Sequence, residues 1–194
     1  MNEQALLTLR TEFEKEAGRS LALPIAGAIV WFIVGIAALF LPADIATYAL
    51  LFGSGAIFPI GLVAARLLGE NPMANNNPLS RLMGLCVLMV NLLWALHLTL
   101  LFSGGSFFPL SLGIGLGLHW VVFSWIIGHP VGTIHAVLRT VLATALWWLL
   151  PTNPITAVAL GVVVAYGYSI YTLSRRTLKL PVTQPKGTPD GIAN

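Results

Sequence analysis

Arg139, His135, His119, Asn91 and Tyr166 are polar side chains set inside otherwise apolar stretches of the sequence. Each type has a definite chemistry. A guanidinium is a planar fork of donors that fits an anion or a set of carbonyl oxygens. An imidazole can relay a proton or hold a hydrogen bond, and an amide or a phenol can orient a neutral solute. Arginine at bilayer depth is costly, so it generally faces a protein interior, a partner or a water-filled cavity. His135 stands four residues before Arg139, on the same face of a helix. The bland readings compete at every position. Arg139 can snorkel toward the headgroups on its long stem, Asn91 can join two helices, and a lone histidine in a span is often a satisfied packing residue.

The absences narrow the chemistry further. No Asp or Glu stands deep in an apolar stretch, which argues against coupling to Na⁺ and leaves Arg139 without an intramembrane carboxylate. Its counter-group is then a backbone carbonyl, a lipid phosphate, a bound anion or an acid of a partner protein. His97 lies near the outer boundary and His129 in a turn, so the histidines lack metal-ligand spacing; no metal and no cofactor are expected. There is no H-E-x-x-H, G-x-S-x-G or P-loop, and Gly53-Ser54-Gly55 lacks the frame of a membrane serine hydrolase. The reading leans away from an enzyme.

Composition dictates what must position these residues. The 194-residue chain is 57% hydrophobic and 9% charged, with a mean hydropathy of +0.85. A soluble domain carries about 25% charge, so lipid is the solvent for most of this surface. Six apolar stretches, roughly 21–41, 46–66, 82–102, 108–127, 131–150 and 154–173, each have the ~20 residues needed to cross a hydrocarbon core as a helix. Short Gly, Pro, Asn and Asp turns separate several of them, so consecutive helices should pack as antiparallel neighbours. At 1.5 Å per residue, Arg139 and His119 lie about 12 Å from the cytoplasmic ends of their spans, Asn91 about 14 Å and Tyr166 about 10 Å. If the last four spans pack together, this shared layer lines a cavity open to the cytoplasm.

Charge gives the direction. Nine of the ten Lys and Arg residues fall on one side of a six-span arrangement, and Arg139 is the tenth. By the positive-inside rule both termini are cytoplasmic. The net charge of +3 belongs to these flanks rather than to a nucleic-acid patch. Residues 1–19 read as a cytoplasmic amphipathic helix with Leu6, Leu9, Phe13 and Ala17 on one stripe, lying at the membrane interface rather than serving as a signal peptide. Residues 20–174 form the membrane domain, and 175–194 read as a disordered cytoplasmic tail. The single Cys86 allows no internal disulfide and should react poorly.

Two further patterns bear on organisation. Leu50–Pro59 resembles Leu100–Pro109, but the copies fall at different places in their spans, which favours coincidence over duplication. Gly53 and Gly55, and Gly113, Gly115 and Gly117, favour close helix packing and offer faces for a second copy or a partner membrane protein. The stretch Phe52–Gly61, followed by Asn77-Pro78-Leu79, resembles a family of small bacterial multi-pass membrane proteins of unknown function. That resemblance implies a bacterial inner-membrane location and carries no activity.

The sequence therefore reads as all-α: a polytopic membrane bundle of six transmembrane helices with a short N-terminal amphipathic helix. The leading expectation is a small transport or permeation protein for a neutral or anionic solute, lined by Arg139, His119, Asn91, His135 and Tyr166. The alternative is a non-catalytic membrane subunit that binds partners.

Overall fold

The computed structural model describes residues 2–73, 77–104 and 106–178. Among these the chain forms α1 (Glu3–Ala17), α2 (Ala22–Ala37), α3 (Ala43–Leu68), α4 (Pro78–Leu92), α5 (Trp94–Phe102), α6 (Phe108–Gly115), α7 (His119–Ile127), α8 (Val131–Leu149) and α9 (Pro154–Arg175). The part of the expected tail from residue 179 onward lies outside the described residues. Five stretches are long and apolar enough to cross a membrane: α3, α4 with α5, α6 with α7, α8, and α9. The sixth apolar helix, α2, has 16 residues. Helical and turn hydrogen bonds extend it from the Leu21 carbonyl to the Leu41 amide, giving a rod of about 30 Å.

Two of the expected spans are broken. The third divides at Leu93 between α4 and α5, and the fourth unwinds over Leu116–Leu118 between α6 and α7. There the Gly117 amide bonds the Ile114 carbonyl at 2.8 Å, one residue short of the α-helical partner. The α-helical acceptor for that amide is the Gly113 carbonyl, which becomes available to another donor. By contrast, α3 continues through Pro59. Leu50–Pro59 lies within α3, whereas Leu100–Pro109 covers the end of α5, a turn and the start of α6, so the two segments are not structurally equivalent.

Packing follows the glycines. The α2–α3 and α8–α9 hairpins are the tightest pairs, α2 lies along α9, and α6 and α7 close onto α8. A Cβ on Gly161 would stand 2.8 Å from the Ala143 amide, one on Gly35 2.6 Å from the Ala159 methyl, and one on Gly132 2.1 Å from the Trp120 carbonyl. Small residues thus let the helix backbones meet. In span four, Gly113 abuts Val158 of α9 and Gly117 abuts the Arg139 side chain, so these two glycines are covered from within the chain. The core between the hairpins holds Trp31, Leu50, Phe108, Leu112, Val158 and Val162. The remaining apolar surface, including Phe52, Val63, Leu85, Leu92 and Trp148, faces outward as lipid requires.

One neighbour relation departs from the short-turn expectation. α3 and α4, separated by the longer 69–77 connection, hardly touch; α4 packs on α7 instead. A lateral gap therefore separates the α2–α3 hairpin from α4.

The helix α1 covers the end of the bundle that carries most of the charge, joining α2 through a 57° bend. Its apolar stripe turns onto protein: Phe13 and Ala17 are buried, and α1 packs on α4 and α7. Polar contacts fix it there. Arg10 donates to the Ile126 carbonyl at 3.2 Å and the Trp125 carbonyl at 2.6 Å, capping the negative end of α7. Asn77 donates to the Leu9 carbonyl at 2.8 Å, and buried Glu14 pairs with Arg176. Glu70, just past α3, accepts the Leu21 and Ala22 amides at 2.9 Å each, which satisfies the otherwise uncapped start of α2.

Candidate functional site

The broken fourth span explains where Arg139 goes. Arg139 lies eight residues into α8, about 12 Å from its start, and its side chain is 0% exposed. Its Nε–H donates to the Gly113 carbonyl, the oxygen made available at the unwound segment. Nη1 donates to the Tyr166 hydroxyl at 3.3 Å. The guanidinium carbon stands 5.6 Å from the Trp31 ring centre and 5.4 Å from that of Tyr166. Two aromatic faces from α2 and α9 therefore share the cation, a contact worth about 2 kcal/mol each when desolvated. Among the described residues no carboxylate bonds it, and Nη2 has no hydrogen-bond partner. Snorkelling is incompatible with this pinned, fully buried geometry.

His135, one turn earlier on α8, is also 0% exposed. Its Nδ1 lies 3.1 Å from the Ala165 carbonyl and 2.8 Å from Ser169 Oγ. The Ser169 hydroxyl itself donates to that carbonyl at 3.1 Å. Both oxygens are then acceptors toward the imidazole, so Nδ1 carries the proton. Among the described residues Nε2 has no hydrogen-bond partner. The ring stacks on Trp120 at 4.0 Å between centroids, tilted by 16°. His135 thus packs as a structural hydrogen-bond donor with one polar atom to spare.

The other three residues meet at a cavity of about 180 Å³ beside this centre. Asn91 from α4, His119 from the start of α7 and Tyr166 from α9 all line it, with Gly55, Trp94 and Trp120. Tyr166 belongs to both: it lines the cavity, and its hydroxyl accepts from Arg139 Nη1. Arg139 and His135 do not line the cavity. Asn91 is exposed and donates to its own helix at the Val87 carbonyl, 2.8 Å away. His119 is partly buried, with its ring beside the Leu116 carbonyl at the unwound segment. The expected layer is therefore two adjoining compartments: a closed Arg139–His135 centre and an open His119–Asn91–Tyr166 cavity. The cavity lies in the gap between the α2–α3 hairpin and α4, so it opens sideways rather than toward one end of the bundle.

Sequence reasoning missed the aromatic walls and the carbonyl. Trp31, Trp94 and Trp120 stand inside apolar spans, where tryptophan otherwise favours the interface, and that displacement was their available signal. The sequence assigns Gly113 to helix packing, and its carbonyl becomes a ligand only through the break at Leu116–Leu118. Near the opposite end of the bundle a second, wider pocket of about 340 Å³ lies between the α2–α3, α5–α6 and α8–α9 connections, lined in part by Thr47, Ser106, Asn153 and Thr156. It carries no charged side chain.

No curated protein and no solved structure matches the chain. A family model does: that of DUF7010, described as a family of unknown function, matches residues 6–176. Those residues run from α1 to just past α9 and include the Arg139 centre, the cavity and the covering helix. The features described here thus fall within the matched region, and the chain belongs to the DUF7010 family.

Proposed function

We propose that this protein binds a small neutral or anionic solute inside the bundle and passes it across the bilayer. One observation supports the reading above others: polar side chains from three spans converge on a mid-span cavity that adjoins a fully buried, carboxylate-free cation. Buried polar atoms are normally hydrogen-bonded, yet among the described residues Arg139 Nη2 and His135 Nε2, in the closed centre beside the cavity, have no hydrogen-bond partner. A water held in that centre would complete them. The charged end of the bundle, where Arg10, Arg19 and Arg176 bond α7, α9 and Glu14, is assigned to the cytoplasm by the positive-inside rule. A bacterial inner membrane is the setting this reading adopts.

A membrane-subunit role is the second reading. It rests on the thin burial of α3 and of α4–α5, 22% and 17% of their apolar windows, against 50% for α6–α7 and α9. These outer helices have faces free for lipid or another protein.

Native mass spectrometry of protein purified in native-lipid particles tests the first reading. A non-lipid adduct is expected on wild type and reduced on His119→Leu. Wild type that flies only as bare protein, or an adduct indifferent to the substitution, would refute the proposed site.

A further inference from the structure

We infer that the cavity takes a neutral, single-ring amphiphile of the phenol or indole class, entering sideways from the bilayer between α3 and α4. The inference rests on the solute-site reading above and names its substrate class. Size comes first. The cavity holds about 180 Å³, whereas a cavity of roughly 150 Å³ accommodates benzene. One ring with a small polar substituent fits within it.

The lining sets the chemistry. Phe58, Trp94, Trp120 and Tyr166 contribute aromatic surface, and Leu23, Ile57 and Val90 aliphatic surface. Ring faces and edges pair well with another aromatic ring. Among the described residues no Asp, Glu, Lys or Arg lines the cavity; Arg139 bonds the Tyr166 hydroxyl without lining it. An anion there would lack a direct countercharge, so a neutral guest is favoured over its ionised analogue. His119 supplies the polar end: as a neutral imidazole it can pair with one hydroxyl or ring N–H.

The route follows from the gap. Gly55 and Phe58 on α3 and Asn91 at the α4–α5 break are exposed cavity-lining residues. Gly55 is the 13th residue of the 26-residue α3, while Leu23 and Pro24 lie in the first turn of α2, so the opening runs from mid-span toward the end of the bundle that carries α1, the interfacial side from which a small amphiphile would enter. A Cβ at Gly55 would meet nothing within 4 Å. A larger side chain there should fill the opening without disturbing the helix.

The test uses the full chain in phosphatidylcholine nanodiscs, with phenol, indole, toluene and benzoate as probes. Phenol and indole should raise the melting temperature saturably in wild type. Gly55→Leu should melt close to wild type yet lose the shift. His119→Phe should weaken phenol by about tenfold, the value of one hydrogen bond, while leaving toluene little changed. No shift with phenol or indole, or an equal shift in Gly55→Leu, overturns the inference. Stabilisation by benzoate alone overturns the neutral class and leaves the broader solute site standing. If none of the four probes stabilises and no adduct is seen by mass spectrometry, both readings fall.

Discussion

At Arg139 two opposing terms meet. Burying a guanidinium with no carboxylate is costly, and replacing such a charge by an apolar residue can stabilise a protein. Here, however, the charge serves the Gly113 carbonyl at the unwound turn and lies against Trp31 and Tyr166. Arg139→Leu leaves that carbonyl without its donor, a loss of about 1–3 kcal/mol. A lower melting temperature in detergent is expected, and Arg139→Lys should not restore it, because lysine has no Nε–H in that position. An unchanged or higher melting temperature for Arg139→Leu would show that desolvation dominates. The cost of this arginine was legible from its depth and from the lack of deep acids. Its partner was not, because a carbonyl is invisible to composition until a helix breaks.

Breaks and caps belong to the scale of elements. The apolar lengths and turn residues located the spans, since hydrocarbon thickness admits few alternatives. They did not single out the interruption at Leu116–Leu118, because its signal, the glycines Gly113, Gly115 and Gly117, is equally that of close helix packing. Nor could the stripe of α1 say whether it meets lipid or protein, since both accept Leu9 and Phe13. Contacts decided it: Arg10 on the end of α7, and Glu14 against Arg176. The adjoining turn gives a pH prediction. His129 Nδ1 accepts the Val131 amide at 3.2 Å, while burial, and then the Arg176 charge, holds its pKa below the usual 6.5. The unfolded chain takes up a proton first as pH falls, so this contribution is complete above about pH 6.5 and is lost through the lowered folded pKa. Wild type should therefore lose melting temperature between pH 7 and pH 5 more steeply than His129→Asn. Parallel profiles would remove His129 from the account.

The whole molecule is a bundle whose inner helices are sealed and whose α3 and α4 stand apart. In a Cys86→Ala background, cysteines at Asp44 and Thr152 should react with an impermeant thiol reagent outside intact cells, and one at Glu3 should not; outside labelling of Glu3→Cys would reverse the orientation. The class of the fold was readable from charge and hydropathy. The lateral gap was not, because the pattern of spans says which helices follow one another and not which of them touch. That gap carries the central claim, that a cavity at mid-bilayer depth is open to small molecules. The most direct measurement is the reactivity of His119→Cys toward neutral methyl methanethiosulfonate in nanodiscs, without native Cys86. It should be modified far faster than Ile126→Cys, whose parent side chain is 0% exposed, and adding Gly55→Leu should slow it. His119→Cys as inert as Ile126→Cys, or reacting equally fast with the opening filled, would contradict the account.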